Sequence, residues 1–181
     1  MTVLSKFQGC FIGLALGDAL CAPYEGGILE GLLWRLIGRT SDGRMRFTDD
    51  TQMSLDLARS LTEKGALDQD HIAQSFAHSY RWSRGYGPSA AKLLKRIKAG
   101  ASWQVENTRQ HPQGSYGNGA AMRAPIIALA YNNQPEEMEN AVYRASLITH
   151  AHPLGIEGAR LIAQVVSESI RGRSALEAGK A

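Results

Sequence analysis

Residues 46–65 read RFTDDTQMSLDLARSLTEKG. Met53, Leu57, Ala58 and Leu61 recur at the period of an α-helix, and Gly65 marks its stop. The polar start of this helix has two readings. Thr and Asp are favoured caps, and Asp49 with Gln52 fits a capping box. A cap needs one acceptor, yet Thr48, Asp49 and Asp50 offer five side-chain oxygens in three residues. Adjacent carboxylates repel, and a helix N-terminus offsets them with only about half a charge. Mg²⁺ and Mn²⁺ take oxygen ligands in octahedral geometry, which this set suits. On the residues alone, a cap and a metal site stand equally open.

The same helical period extends to both sides. Upstream, Leu4, Phe7, Phe11, Leu14 and Ala15 form a stripe, and Gly9, Gly13 and Gly17 a second row at spacing four. That row predicts a central helix that another helix approaches closely. Residues 24–47 lack a clear period and read as a long loop with one helical turn near EGLLWRLIG. Downstream, one stripe runs over Ile72, Ala73, Phe76, Ala77 and Tyr80, ended by Gly85. Pro88 opens the next helix, which buries Leu93, Leu94 and Ile97 and turns Lys92, Lys95, Arg96 and Lys98 outward. Pro125 kinks a helix or marks its start, and Pro135 begins another with acidic residues in its first turns. Ile156, Ala159, Ile162, Ala163, Val166 and Ile170 complete the pattern. Without period-2 strands or repeats, the fold class is all-α, with about seven or eight helices in one domain over 1–181.

The composition agrees. The chain has 181 residues, 44% of them hydrophobic and 20% charged, with a net charge of +3. That excess is weak support for a nucleic-acid partner. Cys10 and Cys21 would lie roughly 16 Å apart on one helix, too far for a disulfide, and read as reduced core residues of a cytoplasmic protein. FIGLALGDALCAPY carries Asp18, lacks a cationic leader and falls short of a membrane span of ~20 apolar residues.

A second unusual segment is HPQGSYGNGAAMR, residues 111–123. Gly114, Gly117 and Gly119 let backbone N–H groups approach a ligand, Ser115 and Asn118 add hydrogen-bonding groups, and Tyr116 can stack on a ring. A flexible tight turn explains the same glycines. In THAHP, residues 149–153, the histidines are two apart and point to opposite helix faces, so one can serve a site while the other caps or faces solvent. HExxH, GxSxG, CxxC and Walker patterns are absent.

Four segments in order resemble the ADP-ribosylglycohydrolase family, which includes the dinitrogen-reductase-activating glycohydrolases. They are GCFIGLALGDALCAPYE (9–25), FTDDTQM (47–53), GSYGNGAAMRAPIIAL (114–129) and SLITHAHPLGIEGARL (146–161). The resemblance implies an orthogonal all-α bundle with two Mg²⁺ or Mn²⁺ ions. It implies Thr48, Asp49 and Asp50 as metal ligands, and Glu25 as a glutamate on a flexible loop that reaches the metals. Ser115, Tyr116, Gly117 and Asn118 match the loop that cradles the diphosphate and ribose of ADP-ribose. His150 matches the histidine bordering the ribose, and Asp18 reads as structural.

Two departures stand out. Cys21 replaces a usual glycine, and no Asp-x-Asp-Thr motif, which completes the family's metal site, follows residue 50. The expectation is therefore the N-terminal part of the family fold, with an incomplete binuclear site and apolar surface open to association. Two octahedral ions need about twelve ligand positions, and these residues supply part of one shell. The reading is a metal-dependent hydrolase that removes ADP-ribose from a protein side chain or small molecule, with Asp49, Asp50 and Glu25 as catalytic carboxylates. The alternative is a non-catalytic relative that binds ADP-ribose or is structural. Aromatic stacking platforms are sparse near the basic face at Lys92–Lys98, which disfavours nucleic acid.

Overall fold

The helical stripes after residue 48 pack together as the centre of a bundle. The computed structural model describes residues 2–179. α1 (Val3–Cys21) is capped by Thr2, whose side chain accepts the Ser5 N–H. A 3-10 turn, Ala22–Tyr24, leads to α2 (Ile28–Ile37). α3 (Asp49–Lys64) stops at Gly65, whose φ of 69° is the left-handed conformation that glycine adopts without penalty. α4 (Gln69–Ser79) is capped by Asp68, which accepts the His71 N–H at 3.0 Å. α5 (Pro88–Lys98), α6 (Trp103–Glu106), α7 (Ala124–Ala130), α8 (Pro135–Leu147), α9 (Pro153–Ile170) and α10 (Ala175–Ala178) follow. Prolines occupy the first turns of α5, α7, α8 and α9, where the missing N–H costs nothing. Pro125 thus marks a helix start. Among the described residues the only β pairing is an isolated bridge between Arg39 and Met45.

The core is continuous. Met53 and Leu57 of α3 meet Ile72 and Phe76 of α4, Leu94 and Ile97 of α5, Ile127 of α7 and Val142 of α8. α7 packs most extensively on α9, and α3 on α4. The expected stripes of α3, α4 and α5 therefore turn to the core, in α9 Ile156, Ala159 and Ala163 bury while Ile162 stays exposed, and the cationic side chains of α5 face outward.

Four expectations need correction. Residues 28–37 form a full helix in place of a loop. Leu29, Leu32, Leu33 and Leu36 share one face at helical spacing, but that face is exposed, and Trp34 is the buried residue among those described. α1 is peripheral and not central. A Cβ at Gly9, Gly13 or Gly17 would meet nothing within 4 Å, and Val3, Leu4, Ile12, Leu16 and Leu20 are exposed. Cys10 is half-buried and Cys21 exposed, both unpaired, so neither is a core residue. With its 3-10 extension, Val3–Tyr24 is also long and apolar enough to cross a membrane by length and composition, contrary to the sequence estimate.

These placements predict unequal costs. Phe76→Ala, in the sealed core, should destabilise by about 3–5 kcal/mol in urea unfolding. Leu16→Ala on exposed α1 should stay within about 0.5 kcal/mol.

Candidate functional site

The start of α3 is capped from a distance. Asp18, in the last turns of α1, accepts the Thr48 N–H at 3.0 and 2.9 Å through its two oxygens. Its Oδ2 also accepts the Thr51 N–H at 3.1 Å and the Thr51 hydroxyl. Thr48 Oγ1 accepts the Asp50 N–H at 3.2 Å. Donors that an acidic first turn would serve are thereby satisfied by Asp18 and Thr48. The capping box expected of Asp49 and Gln52 does not form, because Gln52 donates instead to Asp56 at 3.2 Å. Asp18 is structural, as read.

Asp49 and Asp50 are left as partly buried carboxylates. Burial is the main cause that pushes each up to about 7. The charges of Asp18 and Glu25 add to both, and that of Asp49 adds to Asp50, while Arg123 opposes. Glu25 is raised too, by burial and then by Asp18. Asp50, Asp18, Glu25 and Asn118 line one open groove of about 560 Å³. Gly9, Gly13 and Gly17 of α1 form its other wall, so the glycine row borders this groove. Asp49 does not line it and lies toward Gly85.

The glycine segment forms a tight loop between α6 and α7. Gly114 has a φ of 84°, and a Cβ there would lie 2.2 Å from the His152 nitrogen. That nitrogen donates to Ser115 O at 3.4 Å, and the Gly117 N–H donates to Ser115 Oγ at 3.4 Å. Tyr116 stands at the outer edge, 74% exposed, with its ring edge-on to His152 at 5.4 Å. His150 is buried beneath the loop, so close that a Cβ at Gly119 would lie 2.1 Å from its ring. Ser115 and His150 line a separate cavity of about 20 Å³. His152 caps α9 by accepting the Leu154 N–H at 3.1 Å. The two histidines do divide their work, one at the loop and one at a cap.

Sequence reasoning missed Arg123 and Thr149. Arg123 is 2% exposed, donates through Nη2 to Ala145 O at 3.2 Å and Thr149 Oγ1 at 3.0 Å, and sits 5.0 Å from the Phe76 ring centroid. Burial lowers its pKa to about 10, with Asp49 and Asp50 holding it up. The available signal was an arginine inside the apolar run AAMRAPIIAL.

The ADP-ribosylglycohydrolase family model matches residues 1–181. The chain belongs to the ADP-ribosylglycohydrolase family. It is 34% identical to the zebrafish (Danio rerio) ADP-ribosylhydrolase ARH3 over 96% of this chain and 50% of that protein. Identity to the human ARH3 is 34%, over 96% of this chain and 52% of the relative. The Rhodospirillum rubrum ADP-ribosyl-[dinitrogen reductase] glycohydrolase is 35% identical over 95% and 60%. The chain therefore spans about half the length of the curated relatives it matches. Its helices accord with the all-α fold of the family.

The donor set suits a hard divalent ion in chemistry. Asp50 has no hydrogen-bond partner for its carboxylate among the described residues, and negative charge exceeds the single buried cation nearby. The shell is partial in geometry: among the described residues no three His, Cys, Asp or Glu side chains converge closely enough to hold an ion.

The raised carboxylates have a signed consequence. The folded chain keeps protons that the unfolded chain has released, so these groups lose stability as pH rises from about 4 to about 7. Buried His150, lowered to about 3, acts oppositely and adds stability as pH rises toward about 6.5. Comparison with Asp49→Asn/Asp50→Asn removes the histidine contribution. Without divalent ions, the Tm of wild type relative to that variant should fall by at least about 3 °C between pH 5 and pH 8. Added Mg²⁺ should restore the loss at pH 8 and do little at pH 5.

Proposed function

We propose that this chain forms the ADP-ribose-handling half of a metal-dependent ADP-ribosylhydrolase. The observation that carries this reading is the pair Asp49–Asp50, not needed as caps and opposed, among the described residues, by Arg123 alone against several carboxylates, with Asp50 sharing a groove with Asn118 of the glycine-rich loop. The names of the relatives, ADP-ribosylhydrolases and an ADP-ribosyl glycohydrolase, support the substrate class.

Thr48, Asp49 and Asp50 would hold Mg²⁺ or Mn²⁺. Glu25, exposed at the groove edge, is free to approach as ligand or to yield to substrate. When bound, the ion supplies positive charge that polarises ribose and water oxygens. Gly117 and the neighbouring backbone would receive the diphosphate, with Ser115 and Asn118 bonding polar groups. Tyr116 covers the ligand from the outer edge, and His150 borders the ribose from beneath. In the reaction a water oxygen bonds to the anomeric carbon, and the bond from that carbon to the modified group breaks. Asp49 or Asp50, poised near neutrality, takes the proton of the water, and the leaving group receives one. Unpaired cysteines support a cytoplasmic setting.

One observation favours a second reading, binding without turnover: fewer than three ligating side chains converge among the described residues. Calorimetric titration with Mg²⁺ and then ADP-ribose tests the common core of both readings. Wild type should bind both, and Asp49→Ala/Asp50→Ala should weaken Mg²⁺ by at least about tenfold. Equal affinity in the double variant would remove the metal from the proposal. Release of ADP-ribose from a modified protein separates catalysis from binding.

A further inference from the structure

We propose that Arg123 and Thr149 are positioning residues that hold His150 as the Nε2–H tautomer, its donor edge turned to the Gly117–Gly119 backbone.

The inference starts from one hydroxyl. Thr149 Oγ1 lies 3.0 Å from Arg123 Nη2 and 2.8 Å from His150 Nδ1. A guanidinium N–H only donates, so Thr149 accepts there. The threonine has one proton to give, and no acceptor for it other than His150 Nδ1 appears among the described residues. If Nδ1 carried hydrogen, two donors would converge on the hydroxyl and its own proton would be stranded in a buried site. Thr149 is 4% exposed and His150 9%, so a stranded donor there forfeits a hydrogen bond without water to replace it. The order of donation is therefore Arg123 to Thr149 to His150. A cationic imidazole beside a buried guanidinium is disfavoured as well, and burial and Arg123 keep this ring neutral.

The other edge of the ring has a defined address. A Cβ placed at Gly117 would sit 3.3 Å from Nε2, and one at Gly119 2.7 Å from it. Nε2 thus lies close against the backbone of Gly117 and Gly119, the segment proposed above to receive the ligand. Arg123 is fixed in turn by Ala145 O and by the face of Phe76. The same guanidinium is the positive charge opposing Asp49 and Asp50. One buried residue therefore joins the carboxylate pair to the histidine under the loop. Use of the Nε2 donor by ADP-ribose rests on the functional reading above, whereas the tautomer does not.

The test is a two-bond ¹H–¹⁵N correlation spectrum of the full chain, with His150 assigned by its loss in His150→Gln. Wild type should show protonated Nε2 and a hydrogen-bonded, unprotonated Nδ1. Thr149→Val should move the Nδ1 resonance to its unbonded position and weaken ADP-ribose by about tenfold, with Mg²⁺ affinity unchanged. Thr149→Ser should restore both readouts. Arg123→Lys keeps a donor to Thr149 and should keep the wild-type pattern, and Arg123→Met should not. Protonated Nδ1 in wild type overturns the inference. So does a His150 spectrum unmoved in Thr149→Val. Should Thr149→Val fail to fold, the wild-type and Arg123→Lys spectra still decide. Failure of wild type to take ADP-ribose would sink the functional reading while the tautomer still judges this one.

Discussion

The carboxylate of Asp18 joins the end of α1 to the start of α3, and the site depends on that junction. It satisfies the N–H groups of Thr48 and Thr51 across thirty residues of sequence. Charge-assisted bonds of this kind are stronger than neutral ones. Their structural effect is to make the acidic side chains of the α3 first turn unnecessary as caps. Asp49 and Asp50 can then point elsewhere without leaving backbone donors bare. Asp18 does this while itself negative, so the tie that orders the helix start also deepens the negative potential there.

The balance of charge near this junction is uneven. Four carboxylates, Asp18, Glu25, Asp49 and Asp50, act on one another, against Arg123 and the partial positive charge of a helix end. A buried guanidinium is costly to desolvate, and two of its nitrogens, Nε and Nη1, have no hydrogen-bond partner among the described residues. Packed apolar side chains would stabilise the core more. A charged residue in that position makes physical sense because the neighbouring carboxylates need a counter-charge that solvent cannot supply.

Much of this was legible in the sequence where one helix face is apolar and the opposite face polar. α3, α4 and α5 turn to the core the residues their spacing marks, and α9 does so at Ile156, Ala159 and Ala163 but not at Ile162. α2 was misread as a loop although Leu29, Leu32, Leu33 and Leu36 share one face at helical spacing, because Gly26, Gly27, Gly31 and Gly38 flank and interrupt it. The glycines of α1 were misread for a different reason: spacing shows where a helix could approach, not whether one does. At the site, oxygen-rich and glycine-rich chemistry was visible, and so was the division of labour between His150 and His152. The cap was not, because its acceptor lies on another helix, and a local pattern such as Asp49–Gln52 competes with a tertiary one that sequence cannot weigh. Arg123 was hidden by the same limit. Its burial follows from Ala145, Thr149 and Phe76 converging on it, and no window of sequence contains all of them.

Two departures from ordinary packing, the exposed apolar face of α1 and the cluster of carboxylates, lie at the same helix, and Asp18, Glu25 and Asp50 line a groove walled by α1. Each is unfavourable in the chain by itself, the first by exposing hydrocarbon and the second by repulsion in a partly dry site. Local rules of folding are commonly broken where a ligand is to be met. An ion that binds only the folded arrangement stabilises it in proportion to the logarithm of its concentration over its Kd. On the proposed reading, relief of the repulsion among the carboxylates would contribute to ion binding, which would make ion affinity and fold stability two readings of the same electrostatics. The repulsion in the first turn of α3 is, on that reading, what a cation would relieve.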